Sequence, residues 1–386
     1  MNDVFNSNYP SIEDLRQRAR RRIPRFAFEY LDGGCNEELN LHKNTAELRQ
    51  VELKPFYTSP HISADTRTEL FGHVYDAPFG MAPIGLQGLI WPNAAEILAK
   101  ASVRHNIPFV LSTMSTSSIE RIGELTGGNF WFQLYHPAEN ALRDDLLRRA
   151  EAAGCKVLVI LIDVPAFGYR PRDIRNGLVV PPKMSLRNVL QIIAKPNWAL
   201  QTLRHGQPNF ATMKKYLPGN LDMKQLGLYM NQNFLGKLNE EKITSIREIW
   251  KGKLVMKGVA SEHDAEVAIQ TGMDGIIVSN HGGRQLDAGQ SAIQSLLPIV
   301  RQYSGRLKIM MDSGVRSGVG VARALACGAD FVFLGRSFMY GVAALGEAGG
   351  EHVCAVLKTQ FRQVMEQLGC GKLGDLRAHL VQEKRK

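Results

Sequence analysis

From residue 76 onward, short apolar runs recur along the chain. FGMAP begins at 79, FVLST at 109, FWFQLY at 130, VLVILID at 157, LVMKG at 254, GIIVSN at 275, KIMMD at 308 and FVFLG at 331. None of them alternates apolar with polar. Continuous apolar strands are expected where both faces of a sheet are covered, as in a parallel sheet flanked by helices. The intervening stretches, such as AEILAKASVRHN, are long enough for one helix and two short loops. This alternation predicts an α/β fold, a (β/α)8 TIM barrel. One spacing breaks the pattern: residues 164 to 253 separate the fourth and fifth runs. A connection that long in a compact domain is usually functional. Its central part, 178–250, reads as a lid or membrane-binding insertion.

Ahead of the first run, residues 1–75 form an N-terminal cap segment. There Ser11, with Glu13 and Asp14 in the next turn, begins a helix, and the basic stretch from Leu15 to Arg22 continues it until Pro24 interrupts. No repeat of fixed period is present, which excludes a solenoid. The 386 residues read as a single barrel domain with extensions.

Composition narrows the function. With 44% hydrophobic and 22% charged residues the chain has ample material for a large core. The net charge of +10 is not accompanied by basic residues interleaved with aromatics on one face, so nucleic acid is a poor partner. An anionic substrate, a phosphate-bearing cofactor or an anionic membrane surface fits better. Cys35, Cys155, Cys327, Cys354 and Cys370 are scattered without metal-ligand spacing and read as reduced, buried thiols. MNDVFNSNYP does not resemble a secretory signal, and no run of ~18 apolar residues offers a spanning helix. The expected location is the cytoplasm, peripheral on the cytoplasmic side of the inner membrane.

Barrels of this kind place their chemistry at the C-terminal ends of the strands. In SNHGGRQLD, at 279 to 287, His281 and Arg284 lie three apart after a buried strand, among glycines that let a ligand approach the backbone. Histidine is the natural base near neutral pH and arginine the natural two-point clamp for a carboxylate. A surface turn with an incidental histidine accounts for the spacing equally well. DSGVRSG and LGR place Gly314, Arg316, Gly335 and Arg336 after the last two runs, where barrels commonly bind phosphate. Lys257 closes its run, either snorkelling to solvent or facing the barrel mouth. Asp163 ends another, where it either caps a helix or pairs with His281, fixing its tautomer and raising its pKa.

Together these segments resemble the FMN-dependent 2-hydroxy-acid oxidase and dehydrogenase family. The resemblance is nearest to the bacterial membrane-associated mandelate and L-lactate dehydrogenases. It runs from IPRFAFEYLDGG through MAPIGLQG, LSTMSTSS, WFQLY, LIDVPAFGYRPRDIRNG, VMKG and SNHGGRQLD to MDSGVRSG and GRSFMYG, nearly the whole chain. It implies FMN as cofactor and oxidation of an L-2-hydroxy acid to the 2-keto acid. Tyr30, Arg170 and Arg284 would hold the substrate carboxylate, Tyr135 its hydroxyl, and His281 would be the base oriented by Asp163. Lys257 would sit against the flavin ring. Pro83, Ile84, Gly85, Ser112, Gln133 and Ser279 would line that ring. Asp312 would meet the ribityl chain, with Gly314, Arg316, Gly335 and Arg336 around the phosphate. A homo-oligomer, a tetramer, is expected on the same grounds.

Leu161 stands where the family often has threonine, Ala95 where an acidic residue is common, and Met114 where plant glycolate-type oxidases tend to have tryptophan. Gly85 matches the membrane dehydrogenases, where many oxidases have alanine. This weighs toward a quinone or similar electron carrier as partner; a soluble oxygen-using oxidase releasing hydrogen peroxide is the alternative. Residues 178 to 224 mix basic side chains with Leu186, Val189, Leu190, Ile192, Ile193, Trp198 and Leu203, as an interfacial anchor does on an anionic leaflet. An active-site lid with a solvated basic face is the rival reading. GYRPRDIRNG, IWP and RHGQP lean slightly toward mandelate over lactate as substrate.

Overall fold

The computed structural model describes residues 5–58, 63–178, 184–216 and 238–381. A short antiparallel hairpin, β1 (Thr68–Leu70) and β2 (His73–Tyr75), precedes eight parallel strands. These are β3 (Phe79–Met81), β4 (Val110–Ser112), β5 (Trp131–Leu134), β6 (Val157–Leu161), β7 (Lys253–Val259), β8 (Gly275–Val278), β9 (Lys308–Met311) and β10 (Phe331–Leu334). Each lies in one of the eight apolar runs. They pair in the order β3-β10-β9-β8-β7-β6-β5-β4. The Met81 amide, donating to Pro108 O at 2.9 Å, and the parallel Met81–Phe109 bridge close the circle.

The strands are buried on both faces. Outward residues such as Phe132, Leu158, Ile276 and Val332 pack beneath the surrounding helices in the main core. Inward residues Val110, Trp131, Val157, Val159, Val255, Ile277, Met310, Phe331 and Phe333 form a second core with Leu70 and Tyr75 of the hairpin. Phe71 and Trp131 lie 5.7 Å apart, and Tyr75 and Phe331 5.9 Å, so the hairpin plugs the barrel where the strands begin. Two residues further along each strand, in the same inward register, come Ser112, Gln133, Leu161, Lys257, Ser279, Asp312 and Gly335. The interior thus changes from apolar to largely polar along its own axis.

The register of β7 on β8 shifts between Lys257 and Val259, just past the inward-facing Lys257. Gly258 stands there at φ +99, and a Cβ on it would lie 2.6 Å from the Asp163 side chain. Only glycine admits both that backbone and that neighbour.

The N-terminal segment lies across the polar end. Ser11 and Asp14 form a capping box on α1 (Ile12–Arg22), and the chain breaks at Ile23 and Pro24 before α2 (Arg25–Asp32); α3 (Leu39–Gln50) follows. The segment is fastened through Asp32, which accepts from Arg16 Nε at 2.7 Å, Tyr340 Oη at 2.6 Å and Arg172 Nη1 at 3.3 Å. Burial alone would raise the Asp32 carboxyl, but hydrogen bonds from Arg16 and Tyr340 and the nearby positive charge hold it near 2.

Within the long insertion, helices Leu186–Ile193 and Pro196–His205 dock on this cap. Gln191 accepts from the Phe26 amide at 3.0 Å, and Trp198 donates to Ile90 O at 3.0 Å while packing edge-on against Phe26. Residues 179–183 and 217–224 of the anchor predicted from sequence lie outside the described residues. Glu240–Ile249 is the helix that leads into β7.

Replacing Asp32 with Asn should destabilise the protein by on the order of 3 kcal/mol in urea unfolding at neutral pH, since three donors lose a charged acceptor. The depressed pKa makes the carboxylate's contribution fully present above about pH 4 and lost as pH falls toward 2. The wild-type and Asn proteins should therefore converge in stability on acidification.

Candidate active site

A cavity of about 580 Å³ opens at the polar end of the barrel, under α2 and beside the insertion. His281 enters it from the loop after β8, with its backbone in the left-handed region at φ 58. That conformation is costly for a residue with a side chain and persists only when its surroundings enforce it. Ser279 Oγ accepts from the His281 amide at 3.1 Å and Ser313 Oγ from the Gly282 amide at 2.9 Å. Asn280 donates to Asn40 Oδ1 at 2.9 Å and accepts from Asn44 at 2.8 Å, tying the loop to α3. Gly283, at φ +73, lets α3 approach, since a Cβ there would lie 2.5 Å from the Leu41 amide nitrogen.

His281 Nδ1 faces both Asp163 oxygens, at 3.2 and 3.3 Å. An ionised carboxylate only accepts, so Nδ1 carries the proton and Nε2 keeps its lone pair. Sequence reasoning expected Asp163 to raise the His281 pKa. Asp163 does pull it upward, but burial, joined by the nearby Lys257 and Arg170 cations, outweighs the carboxylate, and the net pKa falls below 6.5.

Arg170 and Arg284 line the same cavity with Tyr30 and Tyr135. Arg284 is set by Nη1 donating to Tyr30 O at 2.8 Å and Gly33 O at 2.7 Å, with its guanidinium 5.1 Å from the Tyr30 ring centre. Arg170 donates to Gln285 Oε1 at 3.1 Å. Burial and the neighbouring Arg170 lower the Arg284 pKa to about 10, which leaves it a cation at neutral pH. Burial keeps both tyrosine hydroxyls protonated.

Deeper in the barrel Lys257 Nζ donates to Ser279 Oγ and pairs with Asp312 Oδ2, each at 2.8 Å. Burial would strip its proton, but Asp312 and Asp163 outweigh that and its pKa rises. Ser112 donates to Gln133 Oε1 at 3.1 Å, and the buried Gln133 Nε2 has no partner among the described residues. At the other end the hydrogen bond of Arg316 among the described residues is to its own Val315 carbonyl, at 2.9 Å, and burial lowers its pKa. The helix Arg336–Leu345 begins beside it with no side-chain cap, so its first-turn amides face the cavity end.

The sequence of residues 19–383 matches the family model described as FMN-dependent dehydrogenase. The chain belongs to the FMN-dependent dehydrogenase family. Similar proteins include an L-lactate dehydrogenase of Ectopseudomonas mendocina (strain ymp), 37% identical over 96% of this chain and 98% of that protein. Another is an L-lactate dehydrogenase of Vibrio cholerae, 36% identical over 94% of this chain and 96% of that protein. Among solved structures, the monotopic membrane protein (S)-mandelate dehydrogenase superposes with a TM-score of 0.92 at 34% identity, covering 98% of this chain and 100% of that one. A mandelate oxidase superposes at 0.81 with 32% identity, covering 97% and 98%.

The residues of this FMN-dependent dehydrogenase fit the cofactor. The unpartnered Gln133 amide offers a donor to a polar ring, the buried Lys257 a cation, and Arg316 with the uncapped helix a site for a dianionic phosphate. Pro83, Ile84, Gly85, Ser112, Gln133, Lys257, Asp312, Gly314, Arg316, Gly335 and Arg336 all line the cavity. Ser279 does not; its hydroxyl is turned to Lys257 and the His281 amide. Asp163 also stands behind the cavity wall, as an orienting residue should. Arg336 spends its guanidinium on the carbonyls of Leu31, Gly282 and Gly33, at 2.9, 2.9 and 2.8 Å, so it braces the cap over the cavity. Asp312 gives one oxygen to Lys257 and the other to Ser313 at 2.7 Å. Leu161 and Met114 line the cavity, whereas Ala95 is a core residue of a barrel helix.

Asp173 was not foreseen. It is buried, lines the cavity and faces both clamp arginines. Its signal was an acid three residues after Arg170, in RPRDIR. The Asn40, Asn44 and Asn280 cluster was also missed, because nothing in Asn40 and Asn44, one helical turn apart, announces that they meet Asn280, 236 residues beyond Asn44.

The kcat/KM profile should fall on the acid side with a midpoint below 6.5, since the neutral form of His281 is favoured there. Asp163→Asn removes the attraction that opposes burial, so it should move that midpoint lower still while reducing the rate. A midpoint above 6.5 would show that the carboxylate, not burial, dominates.

Proposed function

We propose that this FMN-dependent dehydrogenase oxidises an L-2-hydroxy acid to the 2-keto acid and passes the electrons to a membrane quinone or similar carrier. One observation carries the reading of the site: a neutral, carboxylate-oriented histidine and a pair of buried arginines line a single cavity. Arg170 and Arg284 take the substrate carboxylate, and the Tyr30 and Tyr135 hydroxyls orient the substrate beside it. His281 Nε2 then lies free to receive the proton removed from the substrate, and Asp163 stabilises the imidazolium that results. When bound, FMN supplies the acceptor for the two electrons. Lys257, held protonated by Asp312, offsets negative charge developing next to it.

The names of the relatives leave both lactate and mandelate as substrates. The carrier and the membrane are supported by surface chemistry and by the likeness to a monotopic protein. Leu186, Leu190, Ile193 and Leu203 are 76%, 59%, 68% and 82% exposed on the two insertion helices and Met184, just before the first of them, is 66% exposed, with Arg187 and Arg204 among them. Apolar side chains standing in water beside cations suit an interfacial surface on an anionic leaflet. Trp198 takes no part in that face: it is buried and tethers the insertion to Ile90. The lid reading also keeps some force, because Leu178 and Phe210 line the cavity. No described helix is long and apolar enough to cross a membrane. We place the protein on the inner face of the membrane without crossing it.

His281→Gln should keep FMN bound and lower the rate of flavin reduction at least ~10²–10⁴-fold, the contribution of a positioned base. Near-normal reduction would place the base elsewhere.

Changing Leu186, Leu190, Ile193 and Leu203 together to Ser should abolish sedimentation with anionic vesicles and leave anaerobic flavin reduction intact. Each burial surrendered is worth about 1.5–3 kcal/mol. Unchanged vesicle binding would move the membrane contact to another surface.

A further inference from the structure

The carboxylate clamp contains an acid of its own. Asp173 Oδ2 lies 3.5 Å from Arg284 Nη2 and 3.9 Å from Arg170 Nη1. Both separations exceed the ~2.7–2.9 Å of a closed charge-assisted hydrogen bond. The carboxylate therefore balances the guanidinium pair without occupying its donors. Burial pushes the Asp173 carboxyl up by more than the neighbouring arginines pull it down.

The neighbouring charges are already spoken for. Arg172 binds Asp32 and Glu38, Glu29 accepts from Arg25 and Asn176, and Lys257 pairs with Asp312. Arg170, Arg284 and Asp173 remain as a group of three, two positive and one negative. We propose that Asp173 is a specificity-determining residue that tunes this clamp to one carboxylate and rejects a second.

The inference rests on the reading of Arg170 and Arg284 as the site of the substrate carboxylate. With Asp173 ionised the clamp carries one net positive charge, and a monocarboxylate neutralises it. A dicarboxylate brings a second negative charge to a clamp whose remaining positive charge has been cancelled, facing Asp173 at short range. In a partly buried site a like charge several ångströms away lowers affinity by about tenfold or more. Without Asp173 the clamp would carry two net positive charges and favour dianions.

The test uses butanoate and butanedioate as competitive inhibitors of anaerobic flavin reduction by a 2-hydroxy monocarboxylate, at a pH where both are fully ionised. Wild-type holoenzyme should bind the monoanion more tightly. Asp173→Asn, close in shape and neutral, should shift the ratio of inhibition constants at least tenfold toward butanedioate. Asp173→Glu keeps the charge and should keep the wild-type order. A residue that merely supports the fold would weaken both inhibitors together and leave the ratio alone. An unchanged ratio in Asp173→Asn overturns the proposal while the carboxylate clamp stands. Failure of the wild-type holoenzyme to be reduced by any 2-hydroxy acid instead overturns the clamp reading itself.

Discussion

Burying charge is the constraint that organises this protein. Isolated ions cannot be kept in a dry barrel mouth, so each must be paired, hydrogen-bonded or discharged. Lys257 survives as a cation because Asp312 and Asp163 surround it. His281 takes the other route and is kept neutral, the form a base requires. Arg170 and Arg284 share Asp173 and backbone carbonyls, and Arg336 is held by three carbonyls. Among the described residues Arg316, unlike these cations, is bonded to neither a carboxylate nor a distant carbonyl, which suits a residue meant for a phosphate.

That arrangement depends on the barrel beneath it. Strand period two places Val255 and Lys257, or Met310 and Asp312, on the same inward line, so the apolar plug that closes one end also sets the polar floor at the other. The cap then roofs the cavity. Arg336, Arg284 and the Asp32 cluster fasten α2 to strands far away in sequence, and Tyr30 enters the site through them. The insertion serves two neighbourhoods at once: Phe210 faces the cavity, while Leu186 and Leu203 face outward.

The eight strands were legible because a strand buried on both faces leaves an unmistakable run of apolar residues. The break at Pro24 and the cap at Ser11 were legible because both are local chemistry. The pairing of His281 with Asp163 and its upward pull on the pKa followed from both lying at strand ends, but the net direction did not. That sign depends on how much water the closed cap excludes, a property of residues distant in sequence. Trp198 misled for a related reason: an aromatic among basic residues reads the same whether it faces lipid or anchors a helix. Asp173 was hidden by its neighbours, since an acid between arginines in RPRDIR reads as an ordinary helix-surface pair until the fold turns it inward.

On the proposed reading of the site, this cavity holds FMN against the Cα–H of an L-2-hydroxy acid fixed by Arg170 and Arg284. Anaerobic titration of the purified, FMN-loaded protein with the two enantiomers of mandelate and of lactate tests it directly. The account predicts that the L-type enantiomer of at least one bleaches the flavin completely and yields the 2-keto acid in equal amount, while its mirror image does not. A protein that binds FMN but whose flavin stays oxidised with every 2-hydroxy acid, or that is bleached equally by both hands, would contradict it.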